Sequence, residues 1–361
     1  MSTHFHPLTI KNIRRETKDC VSIAFDIPAE LAPEYLYKPG QNITLRINID
    51  GEEIRRSYSI CSSPSDNELR VAIKEISTGK FSLYANKHLR EGDQLDLLPP
   101  SGKFFAKLDP SNQKNYLAFA AGSGITPVLS MIKSTLEIEK HSNYTLIYGN
   151  RNRGSIIFRE QLEALKNRYI DRLVIHHVLS RERTDAPINH GRIDASKCEA
   201  MEGKLINVDA ADEIFLCGPN EMIFSVKDWL EAKNVNPRKV HFELFLTPGS
   251  TLIKSATLQE TDPSLNGKLS AVTIKLDGIS FGFNLPYYGQ SILDAALEQG
   301  ADLPFACKGG VCATCRARVT EGAVEMTTNY ALEPDELEQG FILSCQSHPR
   351  TEKVMIDFDS K

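Results

Sequence analysis

The run Tyr116-Leu117-Ala118-Phe119-Ala120-Ala121-Gly122-Ser123-Gly124-Ile125-Thr126-Pro127 decides the fold of the middle of this chain. A short apolar strand, Tyr116 to Ala120, meets a glycine-rich turn, and a helical pattern then runs from about Thr126 to Glu139. Thr126 is suited to cap that helix and Pro127 to occupy its first position. The alternation continues downstream. Strands are predicted at Tyr144 to Tyr148, Leu173 to Val178, Glu213 to Cys217 and Lys239 to Glu243, with helices near Phe158 to Arg168 and Glu221 to Lys233. Strand alternating with helix predicts an α/β domain with a parallel sheet over residues 107–246.

In such a sheet a dinucleotide pyrophosphate binds at a strand–helix turn, where the first helical N–H groups lack partners. Gly122, Ser123, Gly124, Thr126 and Pro127 are therefore candidate nucleotide-binding residues. The third glycine of the dehydrogenase fingerprint is missing, and a plain glycine turn is the alternative. Cys217-Gly218-Pro219 ends a later strand at the same sheet edge, where a small polarizable Cys can border a nicotinamide ring; a buried core Cys is the bland reading. Ser180-Arg181 follows another strand and offers a hydroxyl and a guanidinium to a 2′-phosphate. The alternative there is a solvated Arg181-Glu182-Arg183 loop.

Towards the N-terminus, residues 1–106 read as short strands, among them Cys20 to Ile27, Asn42 to Ile49, Ile54 to Cys61 and Leu69 to Lys74. Turn signals separate them and one helix, near Phe81 to Leu89, interrupts them. The spacing predicts a small closed antiparallel β-barrel. Arg56-Ser57-Tyr58-Ser59 lies on one of its strands. An Arg can hold pyrophosphate, a Tyr can stack on a flavin, and the Ser can reach the flavin N5 edge. Gly79-Lys80-Phe81-Ser82 opens the helix and suits a phosphate. Taken singly, each motif fits a half-buried strand or an ordinary cap equally well.

Towards the C-terminus, residues 247–268 lack periodicity and read as a linker to a last domain, 269–361. That domain opens with a hairpin signal, Ala271 to Leu276 and Ile279 to Leu285 around Asp277-Gly278. Ser291 with Asp294 forms a capping box for a helix that Gly300 ends. Of eight cysteines, Cys307, Cys312, Cys315 and Cys345 fall here in the spacing C-x4-C-x2-C…x29…C. This is the plant-type [2Fe–2S] pattern, in which one tight loop presents three thiolates. Gly309 and Gly310 let backbone N–H groups approach the sulfur atoms, and Ala313 and Thr314 add no bulk. A zinc ribbon would need a second C-x2-C knuckle, which is absent; a disulfide framework does not suit a cytosolic chain.

The bulk numbers bound the rest. The 361 residues are 41% hydrophobic and carry a net charge of −5, with no long basic block, so nucleic acid is not an expected partner. No apolar run reaches membrane-span length, and the N-terminal segment lacks a signal-peptide core, so a cytoplasmic protein with no membrane partner is expected.

The order R-x-Y-S, G-x-x-S, GSGITP, S-R, CGP and C-x4-C-x2-C…C closely resembles that of ferredoxin–NADP reductase-like oxygenase reductases with a C-terminal plant-type [2Fe–2S] domain, over essentially the whole chain. A narrower likeness, to the reductase components of phenylacetyl-CoA epoxidases, is carried by Tyr148-Gly149-Asn150-Arg151, Ser180-Arg181-Glu182, Gly191-Arg192-Ile193-Asp194, Asp302 to Cys312 and Asn329 to Glu336. The resemblance implies three domains: an FAD-binding barrel, an NADP-binding α/β domain and an α+β, β-grasp ferredoxin domain. It implies that Arg56, Tyr58 and Ser59 hold FAD, helped by Ile73, Lys74, Gly79, Lys80, Phe81 and Ser82. Gly122, Thr126, Cys217 and Pro219, with Ser123, Gly124, Pro127 and Gly218 around them, would frame the nicotinamide nucleotide. Ser180 and Arg181 would favour NADPH, with NADH possible. Tyr58, Ser59 and Cys217 would border the reacting rings, with Glu243 and Phe245 near the flavin's nicotinamide-facing side. The implied function is electron transfer from NADPH through FAD and the cluster to an oxygenase component in phenylacetate degradation. The alternatives are another acceptor, such as a ring-hydroxylating dioxygenase, a hybrid-cluster protein or a desaturase, and a non-enzymatic redox sensor.

Overall fold

A computed structural model describes residues 4–245 and 268–360. The predicted linker therefore lies, except for Lys268, outside the described residues. The chain divides into two compact units. One contains an antiparallel barrel and a parallel sheet, the other the C-terminal cysteine-bearing fold.

The barrel strands are β1 (His6–Thr17), β2 (Cys20–Asp26), β3 (Asn42–Ile49), β4 (Glu52–Ser59), β5 (Leu69–Lys74) and β6 (Gln94–Leu97), in the order β4-β3-β6-β1-β2-β5. A bridge between Ile60, just past β4, and Val71 of β5 closes the ring. Helix α1 (Lys80–Lys87) follows β5. Strand alternation explains why β2 and β5 are buried on both faces. Val21, Ile23, Phe25, Val71 and Ile73 fill the barrel core, while Cys20 and Ala72 point into the core of the parallel sheet.

That sheet comprises β7 (Asn115–Ala121), β8 (Asn143–Asn150), β9 (Leu173–Leu179), β10 (Glu213–Gly218) and β11 (Val240–Leu244), all parallel, in the order β11-β10-β7-β8-β9. The crossovers carry α2 (Ile125–Ile138), α3 (Arg159–Arg168), α4 (Ala195–Met201) and α5 (Asn220–Ala232). Strand order reverses between β7 and β10, which creates the crevice where doubly wound sheets bind ligands.

One local expectation is overturned. Thr126 does not cap α2. A tight 3-10 turn, Gly122–Gly124, runs straight into the helix, so Gly124 is the cap, Thr126 lies inside the first turn and Pro127 is third rather than first. The Thr126 hydroxyl donates instead to the Ser123 carbonyl at 3.0 Å. Pro127 is tolerated because the first four N–H groups of a helix have no intrahelical acceptor.

The C-terminal unit holds β12 (Leu269–Leu276), β13 (Ile279–Pro286), α6 (Ile292–Glu298), β14 (Arg316–Glu321), β15 (Val324–Met326), α7 (Pro334–Glu338), β16 (Phe341–Leu343), β17 (Ser347–Pro349) and β18 (Lys353–Asp357). Five strands order as β13-β12-β18-β14-β16, with β12 and β18 parallel in the middle, and β15 pairs with β17 separately. This is the β-grasp arrangement. The hairpin turn is Asp277-Gly278, at φ 50° and 76°. The Ser291 hydroxyl accepts from the Asp294 N–H at 3.1 Å, and Gly300, at φ 85°, ends α6. Among the described residues no helix is long and apolar enough to cross a membrane.

Candidate functional site

At the strand reversal, two glycine motifs from neighbouring strands meet. Cys217 pairs with Ala120 across β7 and β10, so Gly122–Gly124 and Cys217-Gly218-Pro219 emerge side by side. The contact is backbone to backbone. A Cβ on Gly124 would lie 2.0 Å from the Cys217 carbonyl oxygen, and one on Gly218 would meet Ala121 at 3.2 Å. Gly122 sits at φ 55°, and its carbonyl accepts from the Tyr148 hydroxyl at 3.0 Å. Sequence reasoning gave Tyr148 no such role. The only signal was its place near the end of the next strand.

The Cys217 side chain is fully buried in the sheet core. Burial, reinforced by the nearby Glu243 carboxylate, pushes its thiol well above the ordinary range, so it is a neutral thiol there and no nucleophile. Glu243 is its register partner on β11. From the barrel side, the Ser59 hydroxyl donates to Glu243 Oε2 at 2.7 Å. Ser59, Glu243 and Cys217 thus form one cluster where the barrel meets the sheet.

Around it, the Tyr58 ring lies 5.5 Å from that of Phe81, at 34°. Lys74 Nζ comes within 3.7 Å of where a Gly122 Cβ would be, which brings the end of β5 to the nucleotide turn. Gly79 caps α1 without a side chain. The Ser82 hydroxyl is already engaged, accepting from Ile76 N–H at 3.1 Å and donating to the Gly79 carbonyl at 3.0 Å. Only its backbone N–H would serve a phosphate. Ile73 is a barrel-core side chain whose carbonyl accepts from Asn86 at 3.0 Å. Arg56 stands half-buried on β4 and Lys80 is exposed at the start of α1. The donor set fits a flavin dinucleotide: an aromatic platform, a hydroxyl with a carboxylate behind it, Lys74 close to the glycine turn, and the N–H groups at the start of α1.

Ser180 and Arg181 lie just beyond β9. Their N–H groups donate to the Asn150 and Arg151 carbonyls at 2.9 and 2.8 Å, which extends the β8–β9 pairing and fixes the backbone of both residues. Arg181 is exposed, and Glu182 pairs with Arg153 at 3.2 Å.

The four clustered cysteines converge in the C-terminal unit. Cys307 is half-buried, and Cys312, Cys315 and Cys345 are buried. Cys307 and Cys312 lie close enough to shift each other's protonation, as do Cys315 and Cys345. Among the described residues no three metal-binding side chains surround one point. The C-x4-C-x2-C…C spacing suits a two-iron centre with one pair of thiols for each iron. The loop turns its N–H groups inward: Gly309 N–H donates to Cys307 Sγ at 3.3 Å. It does so with left-handed backbone at Lys308, Gly310 and Ala313, at φ 50°, 75° and 54°. Behind the loop, Arg316 pairs with the buried Glu336 at 2.7 Å and stacks 3.6 Å above Phe341. The other cysteines are buried thiols: Cys20 and Cys198 are each pushed up to about 12, chiefly by burial.

Comparison with known proteins agrees along the whole length. Residues 7–105 match the oxidoreductase FAD-binding domain, 119–228 the oxidoreductase NAD-binding domain and 275–350 the 2Fe-2S iron–sulfur cluster binding domain. The chain is 45% identical over 359 residues to one of the subunits of the 1,2-phenylacetyl-CoA epoxidase of Escherichia coli K12, covering 99% of both. It is 34% identical to the ferredoxin reductase component of 3-ketosteroid-9-alpha-monooxygenase from Rhodococcus rhodochrous, covering 97% of this chain and 96% of that one. Phthalate dioxygenase reductase, described as a modular structure for electron transfer from pyridine nucleotides to [2Fe–2S], shares the fold at TM-score 0.57 and 24% identity, over 98% of each chain. A barrel with a flavin-type donor set, a nucleotide crevice and two thiol pairs therefore have one explanation: the chain belongs to the family of pyridine-nucleotide-dependent FAD and [2Fe–2S] reductase components that pass electrons to oxygenases.

Proposed function

We propose that this chain is the NADPH-dependent reductase of a phenylacetyl-CoA epoxidase. The observation that carries the acceptor is the 45% identity, over 99% of both chains, to a component of such an epoxidase. A bound FAD would supply two-electron chemistry towards a pyridine nucleotide and a bound cluster one-electron chemistry towards an acceptor, while the protein supplies binding, orientation and electrostatics. In this reading Arg56, Lys74 and the N–H groups at the start of α1 hold the FAD phosphates, Tyr58 stacks on the flavin, and Ser59 is oriented by Glu243 towards its reactive edge. Gly122, Ser123 and Gly124 admit the nucleotide backbone, while Gly218 and Pro219 border the nicotinamide over the neutral Cys217. Cys307, Cys312, Cys315 and Cys345 hold the cluster. Orientation of the two rings supplies the acceleration, and no side chain is needed as general acid or base. A cytoplasmic setting is part of the same proposal, supported by thiols that remain free at Cys20, Cys61 and Cys198.

The test is reconstitution. With the oxygenase components of a phenylacetyl-CoA epoxidase, NADPH and phenylacetyl-CoA, this protein should support coupled NADPH oxidation and product formation. With a ring-hydroxylating dioxygenase it should not. Equal support of both systems would refute the assigned acceptor.

The nucleotide preference has its own test. A guanidinium on a 2′-phosphate is a hydrogen bond between charged groups, which contributes about 1.5–3 kcal/mol. Arg181→Ala should therefore raise the KM for NADPH about tenfold or more and leave that for NADH within about twofold. Equal changes for the two nucleotides would count against the assignment.

A further inference from the structure

We infer that Gln346, the residue after the fourth cysteine, is a positioning residue that ties the two thiol pairs together and raises the reduction potential of the cluster they hold. The inference rests on the two-iron reading of the four cysteines. Gln346 Nε2 donates to the Lys308 carbonyl at 3.0 Å, to the Cys345 carbonyl at 2.9 Å and to Cys345 Sγ at 3.5 Å. A side-chain amide has two N–H bonds. One serves Lys308, and the other is shared between the oxygen and sulfur of Cys345. The side chain reaches Lys308 by passing over Gly310, where a Cβ would lie 3.3 Å from Gln346 Cγ. Gly310 is thus the residue that leaves Gln346 its path.

The consequences follow from these contacts. Lys308 directly follows Cys307 and is held in left-handed backbone, at φ 50°. A bond to its carbonyl fixes the loop of the Cys307 and Cys312 pair. The same amide bonds the ligand sulfur of the Cys315 and Cys345 pair, so one neutral side chain spans both halves of the site. Hydrogen bonds to ligand sulfur set the potential of iron–sulfur centres. Reduction adds negative charge to the sulfurs, so a donor aimed at Cys345 Sγ stabilises the reduced state more than the oxidised one. Removing the donor should lower the potential.

The experiment uses the full chain with its cofactors. Iron and acid-labile sulfide are first measured in the unaltered protein; zinc in place of iron would overturn the two-iron reading itself, independently of Gln346. Next, an EPR-monitored redox titration compares it with Gln346→Met, which keeps an unbranched chain and loses the donor. The expected result is a roughly tenfold lower reduced-to-oxidised ratio at a given potential, equivalent to about 59 mV for one electron. A variant that retains iron with an unchanged midpoint would overturn the inference, since a merely structural tie would alter cluster retention alone. Should Gln346→Met lose its cluster, pulsed EPR decides on the unaltered chain. Protein labelled with 15N in the glutamine side-chain amide should show a nitrogen coupling to the reduced cluster, and absence of that coupling would overturn the inference.

Discussion

Cys312→Ser should give a yellow flavoprotein in which pyridine nucleotide still bleaches the flavin and no electrons reach a one-electron acceptor. Cys312 is a buried member of the first thiol pair, next to Cys307. Serine presents a harder donor that stays protonated at neutral pH and fits iron–sulfur chemistry poorly. Loss of an outer group around a metal site costs about 10–100-fold in metal affinity or activity. Loss of a ligand should exceed that, so reduction of a one-electron acceptor such as cytochrome c should fall by more than about 100-fold. Flavin reduction should survive because Ser59, Glu243 and the glycine turn belong to the other compact unit, with its own cores. Stopped-flow absorbance separates the two steps: flavin bands that bleach at the original rate, with iron–sulfur bands missing, are the expected record. Simultaneous loss of flavin reduction would mean that the two functions are not divided between the units as argued.

Gly124→Ala is the second large effect. At a helix cap alanine is already a poorer residue than glycine. Here the added methyl would stand 2.0 Å from the Cys217 carbonyl oxygen, 2.4 Å from its carbon and 2.7 Å from the Gly218 nitrogen. All three are backbone atoms of β10 or its end, so no rotamer change relieves the clash. Strand and helix must separate at the point where the nucleotide crevice forms. Overpacking of this kind costs about 1–3 kcal/mol and sometimes more. For a unit of this size, about 3 kcal/mol lowers the melting temperature by roughly 6–12 °C. Nucleotide affinity should fall with it, because Gly122–Gly124 moves as one turn. Gly154→Ala is the control. The nearest atom to its Cβ is a side-chain oxygen at 3.5 Å, and the change should stay within about 0.5 kcal/mol. Calorimetry and nucleotide titration check both variants; similar melting temperatures would refute the role given to the close approach.

Local patterns carried far in this chain because several motifs depend on neighbours in sequence. The C-x4-C-x2-C loop places three cysteines within nine residues, and Asp277-Gly278 predicts a hairpin that the backbone adopts with both residues at positive φ. The alternation from Tyr116 onward fixed a parallel sheet because helix and strand have different hydrophobic periods. The misplaced cap at Thr126 shows where local reading fails. A Thr-Pro pair fits the start of a helix equally well one turn earlier or later, and the glycine turn that settles the matter is itself held by Tyr148 from another strand. The Ser82 hydroxyl is engaged by its own turn and the Ile73 side chain packs in the barrel core, contacts that depend on the fold and not on a local pattern.

What the sequence determined by itself was the class of each part and the kind of chemistry it carries, because ligand spacing, glycine turns and periodicity are properties of short segments. Only the tertiary structure decided which distant residues act together. It paired the thiols two by two, brought Ser59 of the barrel to Glu243 of the sheet, set Gly124 against the Cys217 carbonyl and laid Gln346 between Lys308 and Cys345. These contacts join residues that are mostly far apart along the chain, and the sheet order and loop closure that create them are not encoded in any one segment.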